Sequence, residues 1–123
     1  MNKKITVKEV YTLPAVYRNE SYYNKAHVIV LSNGVRLLKS YETIVAGINT
    51  RGNFFRLWDG WSATTAKHLT AFSMLYAKKD QGYHGKKDWN DMKVDTVASA
   101  KYSDFWRTPT KAYAPTMYSY WYW

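Results

Sequence analysis

His68 is the residue in this chain best suited to acid–base chemistry. It follows Thr64 and Thr65 by four and three residues, so a helix through this stretch brings the imidazole one turn away from either hydroxyl. Catalysis of this kind also needs a third side chain that orients the base, and the sequence marks none. We therefore expect His68 to be a partly buried structural histidine bonded to a neighbouring strand or loop, and we predict that the protein is not an enzyme.

Metal binding has less support in the sequence. The chain has no Cys, and no two of its histidines are spaced to lie on one helix face, as in His-x-x-x-His. Its nine carboxylates mark no pair suited to acid-catalysed hydrolysis. We expect no metal and no cofactor at the side chains that could in principle ligate one: His27, His68, His84, Asp80, Asp88 and Asp91.

A row of rings around a cation favours binding over catalysis. Strand alternation places Phe54, Arg56 and Trp58 on one face and Phe55 and Leu57 on the other. If the Phe55 face is the core, the first three side chains point outward, where rings stack on bases and a guanidinium pairs with phosphate. The alternative is that Phe54 and Trp58 form a second small core, because large rings are more often buried than displayed.

Other cations and rings extend this predicted surface. Arg36 and Lys39 lie on a neighbouring predicted strand, and Arg51 lies in the adjoining turn. Arg, Trp and Tyr are also the residue types enriched where partner proteins bind most tightly. The residues predicted to contact nucleic acid or a partner are therefore Arg36, Lys39, Arg51, Phe54, Arg56, Trp58, Arg107, Trp121 and Trp123.

The charge balance favours a polyanionic partner. The formal net charge is +9 and the isoelectric point about 9.7. Residues 1–58 hold nine basic and three acidic side chains, and residues 78–123 hold eight basic and five acidic ones. Such an excess attracts nucleic acid, an acidic protein face or a nucleoprotein complex. The alternative is that the charge serves solubility alone.

Two hairpins and a further strand predict an antiparallel β-meander. Asn33-Gly34 is typical of a tight hairpin turn, and Gly52 occupies the second bend. The strands are apolar on both faces in places, which predicts a sheet covered at least partly on both sides. The predicted strands comprise residues 4–12, 26–31, 35–39, 43–49 and 53–58.

One amphipathic helix is predicted to pack across this sheet. Gly60 ends the preceding strand, Ser62 supplies an N-cap, and the helix continues to about Lys78. The fold class is therefore α+β. The apolar stripe that faces the sheet consists of Ala66, Leu69, Phe72, Leu75 and Tyr76.

The remaining chain is predicted to add two short elements and an arm. A helical turn at 86–92 is anchored by Trp89, and a short strand occupies 94–98. Residues 1–100 then form a single α+β domain, and residues 101–123 form an aromatic arm broken by prolines. This arm covers the second face of the sheet, joins two copies into a homodimer, or anchors a partner.

Three runs resemble a family of small uncharacterised proteins encoded by phages, plasmids and bacterial chromosomes. They are KSYETIVA at 39–46, WDGWSATTAKH at 58–68 and KKDW at 86–89, and the similarity spans roughly residues 35–92. The resemblance implies an accessory protein of a mobile element. Some proteins of this kind counter host defences such as CRISPR nucleases.

Charge, rings and resemblance together predict a non-enzymatic phage or mobile-element protein that inhibits a host defence nuclease, in the manner of an anti-CRISPR protein. Its expected partner is a host defence nucleoprotein complex or nucleic acid. The alternative is a stand-alone nucleic-acid-binding accessory protein, and the third hypothesis is an enzyme centred on His68. With no Cys and no run near the roughly 20 apolar residues of a membrane span, we expect a monomer or homodimer in the bacterial cytoplasm, away from membranes.

Overall fold

The computed structural model describes residues 4–16, 21–79 and 81–108. Its strands are β1 (Val7–Thr12), β2 (Ala26–Leu31), β3 (Arg36–Ser40), β4 (Thr43–Ile48) and β5 (Phe54–Arg56). They are followed by α1 (Ala63–Tyr76), α2 (Lys86–Asp91), α3 (Thr96–Lys101) and a 3-10 helix (Ser103–Arg107). No helix within the described ranges is long and apolar enough to cross a membrane.

The strands form one antiparallel sheet in the order β1-β2-β3-β4-β5, so each strand pairs with the next along the chain. The predicted meander and the α+β class are therefore confirmed. Gly34 in the β2–β3 turn has a φ of +88°, a conformation that glycine adopts without steric cost. A bulge at Leu38–Lys39 adds one residue to β4 and shifts its register against β3.

Helix α1 covers the first face of the sheet and begins where the sequence predicts. The Ser62 hydroxyl accepts a hydrogen bond from the Thr65 backbone N–H at 3.1 Å, which caps the helix. The predicted stripe is corrected in part, because Leu75 is 41% exposed and Ala66 only half-buried. The buried positions of the helix are Thr65, His68, Leu69, Ala71 and Phe72.

The second face of the sheet is also covered, as the two-sided apolar pattern predicts. Tyr102 and Phe105, from α3's C-cap and the 3-10 helix, pack on a cluster that includes Ile29, Leu37 and Ile44.

The strand predicted at 94–98 is wrong. Val94 makes a single bridge to Arg56, and α3 begins at Thr96. The physical reason is the cap at Asp95, whose carboxylate accepts the Ala98 N–H at 2.9 Å.

The order of the strands brings three separated segments to one end of the sheet. The β2–β3 and β4–β5 turns lie side by side, and a methyl group added at Gly34 would stand 2.5 Å from the Thr50 side chain. The chain leaving α1 joins them, since the Lys78 N–H donates to the Gly52 carbonyl at 2.8 Å. We call this the hairpin end. The β3–β4 turn and the N-terminus of α1 lie at the opposite end.

Candidate functional site

Arg56, predicted to face outward, is buried beneath α2. It is 6% exposed, and its Nε donates to the Trp58 carbonyl at 2.6 Å. Its Nη1 donates to the carbonyls of Trp89 and Met92 at 2.7 and 2.9 Å, and the guanidinium lies 4.5 Å from the centre of the Trp89 ring. The prediction of an outward row is therefore corrected, because α2 covers this face of β5.

The two rings of that row pack into the molecule. Phe54 and Trp58 are partly buried against the cluster beneath α1. Phe54 meets Trp89 edge to face, with ring centres 6.2 Å apart. The alternative of a second small core is therefore right that both rings pack inward, but they join the main core on the first face.

Lys39, the second predicted contact residue, is buried on the other face of the sheet. It is 4% exposed, and its Nζ donates to the carbonyls of Trp106 and Thr108, both at 3.2 Å. These carbonyls lie at the C-terminal end of the 3-10 helix. The carbonyls bonded by Arg56 lie likewise at the C-terminal end of α2. The C-terminal end of a helix carries partial negative charge and unpaired carbonyls, so each cation stabilises a helix end.

The remaining predicted contact residues do not form one surface. Arg36 is half-buried, with its guanidinium 4.7 Å from the centre of the Tyr76 ring. Arg51 and Arg107 are exposed, but Arg51 lies at the hairpin end and Arg107 adjoins the carbonyls bonded by Lys39. Trp121 and Trp123 lie outside the described residues.

The hairpin end gathers exposed cations from several elements. Arg51 occupies the β4–β5 turn, where its backbone N–H donates to the Asn49 side chain at 2.9 Å. Lys78 and Lys79 follow α1 and adjoin this turn through the bond from Lys78 to Gly52. All three cationic side chains are exposed.

Two further cations flank this group. Lys4 stands two residues before Thr6, whose backbone N–H and carbonyl bond Ser32 at 2.9 and 2.7 Å in the β2–β3 turn. Lys101, at the end of α3, lies near the β4–β5 turn, because it lines a surface groove together with Thr50 of that turn. Both lysines are exposed. Four separate segments of the chain thus bring five positive charges to the hairpin end.

A groove of about 440 Å³ opens at this end on the second face of the sheet, where Lys101 lines it and its wall residue Thr50 adjoins Arg51. Its polar wall includes Asp95, and the Asn33 amide N–H₂ there donates to the Tyr102 hydroxyl at 3.3 Å. The ring of Phe55 is stacked on Tyr102, with ring centres 6.2 Å apart and planes 24° apart. The complete lining is Asn33, Val35, Asn49, Thr50, Phe55, Asp95, Val97, Ala98, Lys101 and Tyr102.

A second group of polar side chains, two hydroxyls and one imidazole, is buried at the opposite end of the sheet. The Ser40 hydroxyl lies 3.1 Å from the Thr65 hydroxyl and 2.8 Å from Nδ1 of His68. The rings of Tyr22 and Tyr41 lie 4.9 and 5.7 Å from the imidazole centre. This bonding to β3 confirms the expectation of a structural histidine.

Burial, together with the smaller effect of the positive charges of Lys25 and Lys67, lowers the pKa of His68 from 6.5 to about 4. The imidazole is therefore neutral at pH 7. His68 is 1% and Ser40 3% exposed, so the described structure offers a substrate no access to either group. The arrangement fastens the β3–β4 hairpin to α1.

Comparison with known families gives one match. A family of unknown function (DUF8033) matches residues 11–91, about two thirds of the chain. The chain belongs to this family. No curated protein and no solved structure matches it.

The DUF8033 match divides the hairpin end. Arg51, Lys78 and Lys79 fall within the matched residues, whereas Asp95 and Lys101 lie beyond them. One wall of the groove, residues 33–55, therefore belongs to the matched segment, and the other wall, residues 95–102, lies outside it. Within the described ranges, no three His, Asp or Glu side chains are placed to hold a metal ion in this DUF8033 protein.

Sequence reasoning missed Lys4, Lys78, Lys79 and Lys101 as neighbours of Arg51. The strand order of the meander is sufficient to place three of these residues, Lys4, Lys78 and Lys79, at the same end of the sheet as Arg51. In an antiparallel meander, alternate turns lie at the same end, and a helix that follows β5 returns to the end where β5 began. The position of Lys101 depends on α3, which was predicted as a strand.

Proposed function

We propose that this protein is a non-enzymatic nucleic-acid-binding protein that uses the hairpin end as its contact surface. The observation that carries the proposal is the gathering of five exposed cations at one end of the sheet, beside a polar groove that Lys101 lines: Lys4, Arg51, Lys78, Lys79 and Lys101. Phosphate contacts from Lys and Arg supply most of the affinity of nucleic-acid binding.

The absence of ion pairs at these five cations, within the described residues, supports an external anion as their partner. Within the part of the chain that the structure describes, none of the five forms an ion pair with a carboxylate. Two other cations, Lys39 and Arg56, are bonded to main-chain carbonyls in the interior. The fold thus withdraws these two charges from the surface and leaves the five at the hairpin end exposed.

We propose further that the nucleic acid is held by a host defence nuclease complex, so that binding inhibits the nuclease in the manner of an anti-CRISPR protein. This role rests on the resemblance of the 39–46, 58–68 and 86–89 runs to proteins of mobile elements. The second candidate is a stand-alone nucleic-acid-binding protein, because the same five cations would serve free nucleic acid equally well.

The contact surface is tested by the salt dependence of binding to a labelled oligonucleotide. Each phosphate contact contributes a slope of about 0.7 to 0.9 in a plot of log affinity against log salt concentration. Three phosphate contacts are removed in the variant Arg51→Ala, Lys78→Ala, Lys79→Ala, so we expect its slope to fall by about 2 to 3. The matched control, with the same change in charge, is Lys25→Ala, Lys67→Ala, Lys93→Ala.

These six side chains are exposed, so both variants should fold, and thermal unfolding checks this. A control variant that loses as much of the slope as the hairpin-end variant would contradict the proposed location. Recovery of partners from bacterial lysate, with and without nuclease digestion, then tests the role. A single protein retained after digestion supports the inhibitor, and retention that vanishes supports the stand-alone binder.

A further inference from the structure

We propose that the hairpin-end groove receives one unstacked guanine nucleotide of a single strand, whose base edge donates hydrogen bonds to Asp95. This inference rests on the proposed function, since the cations of the hairpin end must first hold the strand. The size of the groove is the first support. Its volume of about 440 Å³ lies within the range of about 300 to 1,000 Å³ typical of small-ligand sites. A duplex keeps its bases paired and stacked, so it cannot insert one there.

The carboxylate of Asp95 determines which part of the nucleotide enters. One of its oxygens accepts the Ala98 N–H at 2.9 Å, and a carboxylate has about four acceptor positions in all. A phosphate in the groove would be repelled by this charge. The N–H groups of a base are attracted by it, so the base points inward and the phosphates lie toward Arg51 and Lys101.

The aromatic floor of the groove excludes recognition by stacking. One face of Phe55 is covered by Tyr102, and its ring also lies against Gly47, where an added methyl group would collide with it. Tyr102 is only 5% exposed. A base in the groove is therefore contacted at its edge. Val97, which is 77% exposed and lines the groove, offers an apolar contact for one face of the base.

Guanine fits this arrangement better than the other bases. Its Watson–Crick edge carries two adjacent donors, N1–H and N2–H₂, which match the two oxygens of a carboxylate. Unpaired bases in single strands are commonly recognised on this edge. Adenine, cytosine and uracil or thymine present at most one donor group there, so each makes a weaker pair with Asp95.

The test measures fluorescence anisotropy at one fixed salt concentration with labelled single strands that contain guanine, or inosine in its place. Inosine lacks the N2 amino group and is otherwise the same purine. We expect guanine to bind about tenfold more tightly than inosine, the size of effect that a bidentate base contact produces. We also expect the duplex of the same sequence to bind more weakly than the single strand.

The variant Asp95→Asn distinguishes the contribution of the groove to binding from that of the cations. Asn is as good an N-cap as Asp, so α3 should remain capped while the charge is lost. The guanine-to-inosine ratio should fall below twofold with an unchanged salt slope. Asp91→Asn, an exposed aspartate on α2, is the control and should keep the ratio.

The possible outcomes distinguish the two proposals. Equal binding of guanine and inosine by the unaltered protein, or duplex binding as tight as single-strand binding, overturns the inference and leaves the cationic surface in place. An unchanged ratio in folded Asp95→Asn protein also overturns it. Absence of salt-dependent binding to any oligonucleotide instead overturns the proposed function itself.

Discussion

Lys39 and Arg56 show why a basic residue on a strand is an uncertain indicator of a binding surface. A buried charge is tolerated only when polar partners replace the water that it has lost. Here the partners are main-chain carbonyls at the ends of two short helices, one on each face of the sheet. Each cation therefore fastens a helix to the sheet, and neither is available to an external anion.

We predict that Arg56→Ala lowers the free energy of unfolding by about 3 kcal/mol, because it removes the donor of the Met92 carbonyl and one of the two donors of the Trp89 carbonyl from a largely buried site. Arg56→Lys should recover only part of this loss, since an ammonium group lacks the planar fork of a guanidinium. Urea denaturation measures both variants. Arg51→Ala is the control and should change stability by less than about 0.5 kcal/mol, because Arg51 is exposed. A small loss in Arg56→Ala would contradict the structural role.

We predict that His68 makes the protein less stable as the pH falls from about 6.5 to about 4. The imidazole takes up a proton near pH 6.5 in the unfolded chain and only near pH 4 in the folded one. Between these values the unfolded state binds more protons, so the free energy of unfolding decreases with falling pH, by up to about 3 kcal/mol. Above pH 6.5 the residue has no such effect.

The variant His68→Asn is the test, because it retains a polar group near Ser40 and cannot titrate. Urea denaturation at several pH values should give a shallower dependence in the variant than in the unaltered protein. The difference between the two curves isolates His68 from the other histidines. Parallel curves would show that the imidazole is already protonated in the folded state or remains accessible to water.

At the level of elements, local signals were sufficient for the hairpins and the start of α1. The Asn33-Gly34 turn and the Ser62 cap depend on backbone conformation and short-range hydrogen bonds, which the sequence encodes directly. The buried face of α1 was less predictable. Thr65 and His68 occupy positions that an apolar pattern assigns to hydrophobic residues, because both belong to a hydrogen-bonded group with Ser40, which is remote in sequence.

Gly52 connects two elements of the hairpin end. Its φ of +82° suits glycine, and a methyl group there would stand 2.9 Å from Cβ and 3.0 Å from the backbone nitrogen of Lys78. We predict that Gly52→Ala separates the β4–β5 turn from the end of α1, lowers stability by about 1 to 3 kcal/mol and weakens nucleic-acid binding without any change in charge. Thermal unfolding and anisotropy measure the two effects.

Gly85→Ala is the matched control for binding. Its φ is also positive, at +110°, but an added methyl group meets nothing within 4 Å. This variant should be destabilised by backbone strain and should bind the oligonucleotide as the unaltered protein does. Equal loss of affinity in the two glycine variants would mean that general destabilisation, and not the joining of Arg51 to Lys78, explains the effect.

For the whole molecule, net charge predicts the kind of partner and the fold determines where the exposed cations lie. The meander brings alternate turns together, and α1 has the length to return to them. Its 14 residues extend about 21 Å, close to the roughly 20 Å of a six-residue strand such as β4. Lys78 and Lys79 thus arrive beside Arg51. This placement follows from topology once the strand order is known, whereas the position of Lys101 requires α3 as well.

Most of the C-terminal stretch, residues 101–123, lies outside the described residues. The second face of the sheet receives Tyr102 and Phe105 from the part of the stretch that is described, and Lys39 bonds the carbonyl of Thr108. Removal of residues 113–123 also takes away no charged side chain. We therefore predict that the shortened chain folds and binds oligonucleotides with an unchanged salt slope.

Circular dichroism, light scattering and anisotropy test this shortened chain. A change from dimer to monomer with binding intact would assign residues 113–123 to self-association, and loss of a protein partner alone would assign them to an anchor. Loss of folding would show that the second face needs these residues in addition to Tyr102 and Phe105. A folded monomer or dimer that no longer binds nucleic acid would contradict the hairpin end as the contact surface, because every cation proposed there is still present.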